Sequence, residues 1–478
     1  MDERSARLSA TLGDQTIDYT IRFEQLPLRD VSGAAVGTLS AFSYIVEASP
    51  IERASRPVLF LTNGGPGAAT SYLHLSGIAP FRADVPTDVE AAPAPPYGIT
   101  TSESSILDIA DLVFLDAPGT GFGSVDEGVE LTDFHSVEAD AAAVAAAITD
   151  WVITHERWNS PKYFLGESYG THRAAFLATA SHGFDTAPLD GILLLGQAVN
   201  IQEISERPGN VVGALANLPY KAAVARFHGL GSTEHSTTEE AIRAALDYAW
   251  GDLARVMLQG TKASEEDLRA MADKMSTMIG IPADELVRSR LWINKSDFRA
   301  RLLRDRGLAI GSNDGRYTVA APDASFGELP IDATNTQLTP RYTAAFHQLF
   351  AEVFGGAADQ PYRVLDATAG RDWEWGDSAG ARFMLMGKPS PFQTYPYPAH
   401  LSRWMKQSPK VRLFVGTGMY DSLTTIGAAD HLLRQWELPS DRVTVRWYEG
   451  GHMMYSSPDT ATSLNEDLRA FLTKKDSQ

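Results

Sequence analysis

Two styles of apolar patterning divide the chain. Thr16–Phe23 (TIDYTIRF) and Val36–Val46 (VGTLSAFSYIV) alternate or run apolar on either side of the polar, glycine-bearing RDVSGAA stretch. They predict a first pair of strands. Val58–Leu61, Leu112–Leu115, Tyr163–Leu165 and Ile192–Leu195 are short, continuously apolar runs. Such runs suit strands buried on both faces of a parallel sheet. Helical periodicity lies between them, over Ser136–Trp151 and after Ser168. Strands alternating with helices predict a doubly wound α/β sheet.

Near Ile201 the pattern changes. Thr237–Gln259 opens with a capping box (Thr237, Glu240) and places Ile242, Ala245, Leu246, Ala249, Leu253 and Val256 on one helical face. Ser264–Ile279 repeats the scheme and stops at Gly280–Pro282, and a third helix is predicted to start at Thr339–Pro340 and end at Gly355–Gly356. From 201 to 400 the pattern shows helices and Gly/Pro/aromatic loops. Buried-strand runs resume at Val411–Val415 and Val443–Trp447, with a last helix near Ala461–Leu472. The expectation is a sheet-bearing unit from 1–200 and 401–478, interrupted by a mainly helical insertion over 201–400. There is no internal repeat and no low-complexity tract beyond the Pro/Ala-rich loop Ala91–Tyr97.

Composition narrows the chemistry. At 478 residues, 44% hydrophobic and 21% charged, the chain can bury a large core. A net charge of −19 opposes nucleic acid and anionic membranes, so neither is an expected partner. The chain has no cysteine, which excludes disulfides, a thiol nucleophile, thiolate zinc sites and iron–sulfur ligation. Covalent catalysis would fall to Ser, Thr, Lys or a carboxylate. The polar start MDERSARLSATLGDQ has no signal-peptide h-region, and no run approaches a membrane span of roughly 18 apolar residues. The expectation is a cytoplasmic protein; a secreted or periplasmic one with its leader removed would look the same. Asp126-Glu127 and Asp133-Phe-His135 lack metal-ligand spacing, so no metal and no cofactor are expected. A homodimer is compatible with the sequence.

The sharpest motif is Gly166-Glu167-Ser168-Tyr169-Gly170, between the strand Tyr163–Leu165 and the helical His172–Ala180. On its own the pentapeptide also reads as a glycine-rich turn. In this setting it is the nucleophile elbow of an α/β-hydrolase fold, where small flanking residues let a tight turn present the serine above the sheet. A nucleophilic serine needs a base, and the base an orienting acid. In this fold they follow in the order Ser, Asp/Glu, His. Asp421 ends Gly416-Thr417-Gly418-Met419-Tyr420-Asp421, and His452 ends Gly450-Gly451-His452, each directly after a predicted strand. Strand C-termini are where open α/β sheets build their sites. The competing readings are a helix N-cap for Asp421 and a turn residue for His452. Asp430 and His431, within a helical stretch, read as surface groups. Asn63-Gly64-Gly65-Pro66-Gly67 follows the strand Val58–Leu61, where one oxyanion-hole amide is supplied. The donors expected are Gly65 and Tyr169.

Together NGGPGAAT (63–70), DAPGTGFGS (116–124), GESYGTHRAA (166–175), the Asp421 turn and GGHMMY (450–455) resemble the serine carboxypeptidase family. Prolyl aminopeptidase-like hydrolases share the GGPG loop and the elbow, but the acid before the serine and Asp116-x-Pro118-x-Thr120-Gly121-Phe122 favour the carboxypeptidases. The resemblance implies that Ser168, Asp421 and His452 catalyse release of C-terminal residues through an acyl-enzyme. It also implies that Asn63 and Glu167 bind the substrate's terminal carboxylate. Two carboxyls side by side must share a proton, which favours binding at acidic pH. Two departures stand out. Ala68 replaces a cysteine of the eukaryotic members, and Gly77, beside Ser76, stands where a second acid is expected. The latter weakens carboxylate recognition and leaves two rivals: an esterase, amidase or acyltransferase acting on a small molecule, and a hydrolase-fold binding protein without catalysis. The aromatic runs RDWEWGDSAG (371–380) and PFQTYPYPAH (391–400) fit either a pocket wall or loop packing, the latter being preferred.

Overall fold

The apolar runs become the strands of one sheet in a computed structural model that describes residues 2–91, 94–180, 186–321, 332–366, 368–371, 373–376 and 395–474. In chain order they are β1 (Arg4–Leu12), β2 (Gln15–Arg29), β3 (Ala35–Val46), β4 (Val58–Thr62), β5 (Asp111–Leu115), β6 (Lys162–Glu167), β7 (Gly191–Leu195), β8 (Arg412–Gly418) and β9 (Val443–Tyr448). Their spatial order is β1-β2-β3-β5-β4-β6-β7-β8-β9, with Ser124–Val125 pairing beside β3. β1, β2 and β3 form an antiparallel meander that joins β5 antiparallel. The remaining pairs, from β5 to β9, are parallel. This is the α/β-hydrolase fold.

Continuous burial with a two-residue period explains the runs. In β4, Leu59 and Leu61 enter one core cluster while Val58 and Phe60 enter another on the opposite face. In β7, Leu193 and Leu195 point one way and Ile192 and Leu194 the other. Each such side chain contributes about 1.5–3 kcal/mol by leaving water. Helices α1 (Val137–Thr154), α2 (Gly170–Ala180), α6 (Tyr397–Gln407) and α7 (Ile426–Gln435) cover the second face. Helices α5 (Ala333–Phe354) and α8 (Pro458–Thr473) cover the first. β9 is the sheet's edge, and most of its residues are only half-buried rather than enclosed like the strands before it.

The stretch between β7 and β8 divides by packing. Helices α3 (Thr238–Tyr248) and α4 (Glu265–Ile279), with shorter helices between 211 and 301, form a cluster of their own that meets the sheet through Met419, Tyr420 and Ile426. By contrast α5 lays Leu338, Tyr342, Phe346, Leu349 and Phe350 into the main core. A short hairpin (Leu308–Ile310 with Thr318–Ala320) also lies here, where the sequence pattern shows only helices and loops.

Of three helices expected from the sequence, two differ from the expectation and one matches it. α3 has its Thr237–Glu240 capping box, but Gly251 breaks the helical path at φ −100, ψ −107 before Ala254–Gln259 resumes it. α4 runs as expected from the Ser264 N-cap to a left-handed Gly280. α5 begins at the Asp332 N-cap, so Pro340 lies inside the helix rather than at its start. Parts of the 371–380 and 391–400 aromatic runs and of the 91–97 loop fall outside the described residues. Among the described residues no helix is long and apolar enough to cross a membrane.

Candidate active site

The chain switches sides around β4, whose sheet neighbours are β5 and β6. In open α/β sheets the crevice at such a switch point is the place for a site. The loop after β4 and the elbow after β6 meet there.

Ser168 sits at the elbow with φ +56, a left-handed conformation rare outside glycine. Crowding holds it there. A Cβ on Gly166 would lie 2.1 Å from the Gly170 carbonyl oxygen, and one on Gly170 would lie 2.9 Å from that of Thr62. The Ser168 amide donates to the Leu195 carbonyl at 2.9 Å, tying the turn to β7. Such strain costs on the order of 1–3 kcal/mol and persists because its surroundings impose it.

His452 and Asp421 come together from the turns after β9 and β8. His452 Nδ1 lies 2.7 Å from Asp421 Oδ2, and both residues are buried. Asp421 Oδ1 accepts from the amides of Leu423 (2.7 Å) and Thr424 (3.1 Å), and Oδ2 accepts from Thr424 Oγ1 at 2.6 Å. The N-cap reading of Asp421 does not hold, because α7 is capped by Thr425, whose side chain accepts from the Ala428 amide. Gly196 lets the backbone pass this pair: a Cβ there would be 2.8 Å from Thr424 Oγ1 and 3.3 Å from His452 Nδ1. Burial alone would depress the His452 pKa, but the Asp421 carboxylate more than offsets it and the net shift is upward.

The glycine loop packs directly on the elbow. A Cβ on Gly64 would be 2.6 Å from the Tyr169 amide nitrogen and 2.7 Å from Ser168 Cβ. Gly65, at φ +110, follows it into the cleft. Two buried networks fix this arrangement. Asp140 holds Arg173 (Nε–Oδ2 2.6 Å) and accepts from the Tyr169 hydroxyl (3.1 Å), while Arg173 Nη1 donates to the Asn63 carbonyl at 2.6 Å. Asp116 accepts from the Thr70 amide (2.8 Å), Ser40 Oγ (2.6 Å) and the Tyr362 hydroxyl (2.8 Å). A strap at 362–366 crosses above: Ala69 N donates to Val364 O (2.9 Å), Asp366 N to Gly67 O (2.8 Å), and Arg363 exchanges backbone bonds with Gly121.

Ser168, His452, Asn63, Gly65 and Glu167 line one cleft of about 460 Å³, walled by Tyr72, Val364, Leu365, Leu423 and Met453. Asn63 Nδ2 donates to Glu167 Oε2 at 2.9 Å, and the Leu73 amide donates to Asn63 Oδ1 at 3.0 Å. Burial pushes the Glu167 pKa up to about 7, against the lowering effects of His452 and of hydrogen bonds from Tyr455 and Asn63. Ser76 Oγ turns back to the Leu73 carbonyl at 2.7 Å, and the Gly77 carbonyl is taken by Ser102 Oγ (2.7 Å) and Asn465 Nδ2 (2.8 Å).

Other expected residues lie elsewhere. Asp430 and His431 are not free surface groups: His431 is buried 3.4 Å from Glu203, and Asp430 accepts from Trp250 Nε1 at 2.8 Å. Asp126, Glu127 and Asp133 are exposed, whereas His135 is buried against Trp373, 3.3 Å from Asp366. Trp373 and Trp375 stand edge-on to the Tyr169 ring, at 5.2 and 5.5 Å, and pack behind the elbow. Among the described residues no group of three or more Asp, Glu or His side chains forms a metal cage. Thr424 and Tyr455 belong to the site although their side chains carry no signal of it in the sequence.

A family model described as serine carboxypeptidase matches residues 32–184. "Serine carboxypeptidase-like 33" of Arabidopsis thaliana is 29% identical over 146 residues, 30% of this chain and 28% of that protein. The match thus spans little more than a quarter of that relative. Kex1Δp, a prohormone-processing carboxypeptidase from Saccharomyces cerevisiae, superimposes with a TM-score of 0.54 at 13% identity, covering 95% of this chain and 91% of that one. At that identity the likeness is one of fold. The glycine loop, the Asp116 turn and the Ser168 elbow all fall within residues 32–184, so the part of the chain that is similar to the serine carboxypeptidase family is the part that carries these three motifs.

Proposed function

We propose that the protein is a serine-type carboxypeptidase that releases C-terminal residues from peptides. One observation carries this reading: the Asn63–Glu167 pair opens into the same cleft as Ser168 and His452. Ser168 Oγ attacks the scissile carbonyl and passes its proton to His452 Nε2. Asp421 at Nδ1 fixes the tautomer and stabilises the imidazolium. Amides of Gly65 and Tyr169 hold the oxyanion, each such donor being worth about 3–4 kcal/mol. His452 protonates the departing amine, and water then releases the acyl group by the reverse path.

Asn63 and Glu167 receive the substrate's terminal carboxylate. A carboxyl that titrates at about 7 is largely protonated below neutrality and can donate to that carboxylate. The test is a panel of blocked peptides with free C-termini, their C-terminal amides and simple aryl esters, read against Ser168→Ala. Free acids should be preferred in acid solution, and Ser168→Ala should lose several orders of magnitude in turnover with its fold intact. Amides cleaved as well as acids would favour the esterase or amidase reading, to which the glycine at position 77 and the apolar walls are also suited. Failure to react with a fluorophosphonate probe would favour a non-catalytic binding protein.

A further inference from the structure

Tyr455 is buried in the short turn Met454–Ser456, three residues beyond His452. The turn closes on itself, with the Ser456 amide and hydroxyl both donating to the Met453 carbonyl, at 3.0 and 2.7 Å. The base and this phenol are therefore parts of one piece of backbone. The Tyr455 hydroxyl donates to Glu167 Oε2 at 2.5 Å. Asn63 Nδ2 donates to the same Oε2 at 2.9 Å and lies 3.4 Å from the Tyr455 oxygen. Both hydrogen bonds described for this carboxyl thus converge on one oxygen. An oxygen receiving two donors is a poor place for a proton.

We propose that Tyr455 is a positioning residue for Glu167: by occupying Oε2 together with Asn63, its hydroxyl directs the Glu167 proton to Oε1, toward the substrate's terminal carboxylate, and sets the upper pH limit of that binding. The inference rests on the carboxypeptidase reading above. It supplies a polar group to a subsite whose expected second acid is Gly77. The proton balance is simple. Binding of a substrate carboxylate to protonated Glu167 forms a hydrogen bond with no net transfer, whereas binding to ionised Glu167 takes up one proton from solution. KM for a free acid should therefore rise about tenfold per pH unit once Glu167 is ionised.

Among the described residues, the titratable groups that act on Glu167 are His452 and Asp421 from the turns after β9 and β8, and Tyr455; two further tyrosines feel its charge in turn. Those tyrosines are Tyr72 in the helix Ser71–His74 and Tyr342 in α5, both held neutral by burial. Among them only Tyr455 donates a hydrogen bond to Glu167. That bond favours the ionised carboxyl, so its loss moves protonation to higher pH.

The experiment compares the pH dependence of KM for a blocked dipeptide acid and its C-terminal amide in the wild type and in Tyr455→Phe. In the variant the pH at which KM for the acid begins to rise should move up by about one unit. KM on the acidic plateau should increase severalfold, because the proton is no longer confined to Oε1. The amide should show no such break in either protein. Glu167→Gln should abolish the break, and adding Tyr455→Phe to it should not restore one. Should Tyr455→Phe fail to fold, 3-fluorotyrosine at position 455, a stronger donor of the same shape, should move the break to lower pH. An unmoved break for the acid, or equal changes for acid and amide, overturns the inference. A wild type that does not prefer acids to amides overturns the carboxypeptidase reading, and this proposal with it.

Discussion

Thr424 decides how His452 is held. Its hydroxyl donates to Asp421 Oδ2 and lies 3.2 Å from His452 Nδ1, so the acid reaches the imidazole already fixed by three donors. Asp421→Asn would keep the shape and present the wrong tautomer. A loss of about 10⁴ in kcat is expected, measured by active-site-titrated turnover. The same variant tests the electrostatics. The base must be neutral to accept a proton, and Asp421 raises its pKa, so wild-type activity on an amide or ester should rise with pH through a limb lying above the usual imidazole range. In Asp421→Asn the residual limb should move to lower pH; an unmoved limb would assign it to another group. At this scale the sequence points to Ser168 and His452 as candidates by residue type at strand ends, and the fold brings both to one cleft. It left Asp421 between two roles, because only the fold shows that Thr425 does the capping. Thr424 and Tyr455 were not legible, since a hydroxyl gains its role from a neighbour that turn geometry brings in from far along the chain.

Between β4 and β6 the unit of function is a pair of turns pressed together. Gly64 is the tightest point, and Gly64→Ala should lower turnover by at least about 100-fold, because the new Cβ must displace the Tyr169 amide or the Ser168 side chain. Single-turnover kinetics beside thermal unfolding would separate this from general destabilisation. Behind the turns, Asp140→Ala leaves Arg173 charged and unpaired in the interior. The expected cost is about 3–5 kcal/mol, read from denaturant midpoints. Parity with wild type would mean that water or another acid reaches the guanidinium. The strand runs were legible because burial on both faces forbids polar residues. β1 is faint in the sequence: Ala6, Leu8, Ala10 and Leu12 do alternate with Arg7, Ser9 and Thr11, but alanines weaken the signal. The sequence points to a start of α5 at Thr339–Pro340, since proline reads as a first-turn residue, while Asp332 supplies the cap eight residues before Pro340.

For the molecule as a whole, charge and packing set terms that no single residue does. A net charge of −19 opposes the approach of a free C-terminal carboxylate over most of the surface. The kcat/KM for an acidic peptide should therefore rise as ionic strength goes from about 10 to 200 mM, while that of its neutral amide stays flat. A fall with salt would point to a local positive field at the cleft. The strand–helix order was readable from the sequence because hydrophobic period identifies an element. Packing was not, because the period gives the apolar face of α5 without saying that it meets the main core.

The strap at 362–366 adds a constraint of inheritance. It lies in the stretch between β7 and β8, yet its backbone is hydrogen-bonded to both the glycine loop and the Asp116 turn. A lineage, or an engineer, wishing to replace that stretch wholesale would also remove the outer wall of the glycine loop. Helices between 211 and 301 are therefore the exchangeable portion, and the splice belongs before α5 rather than at β8. Variation between relatives should accumulate in the former and stop short of Tyr362, a pattern an alignment would expose at once.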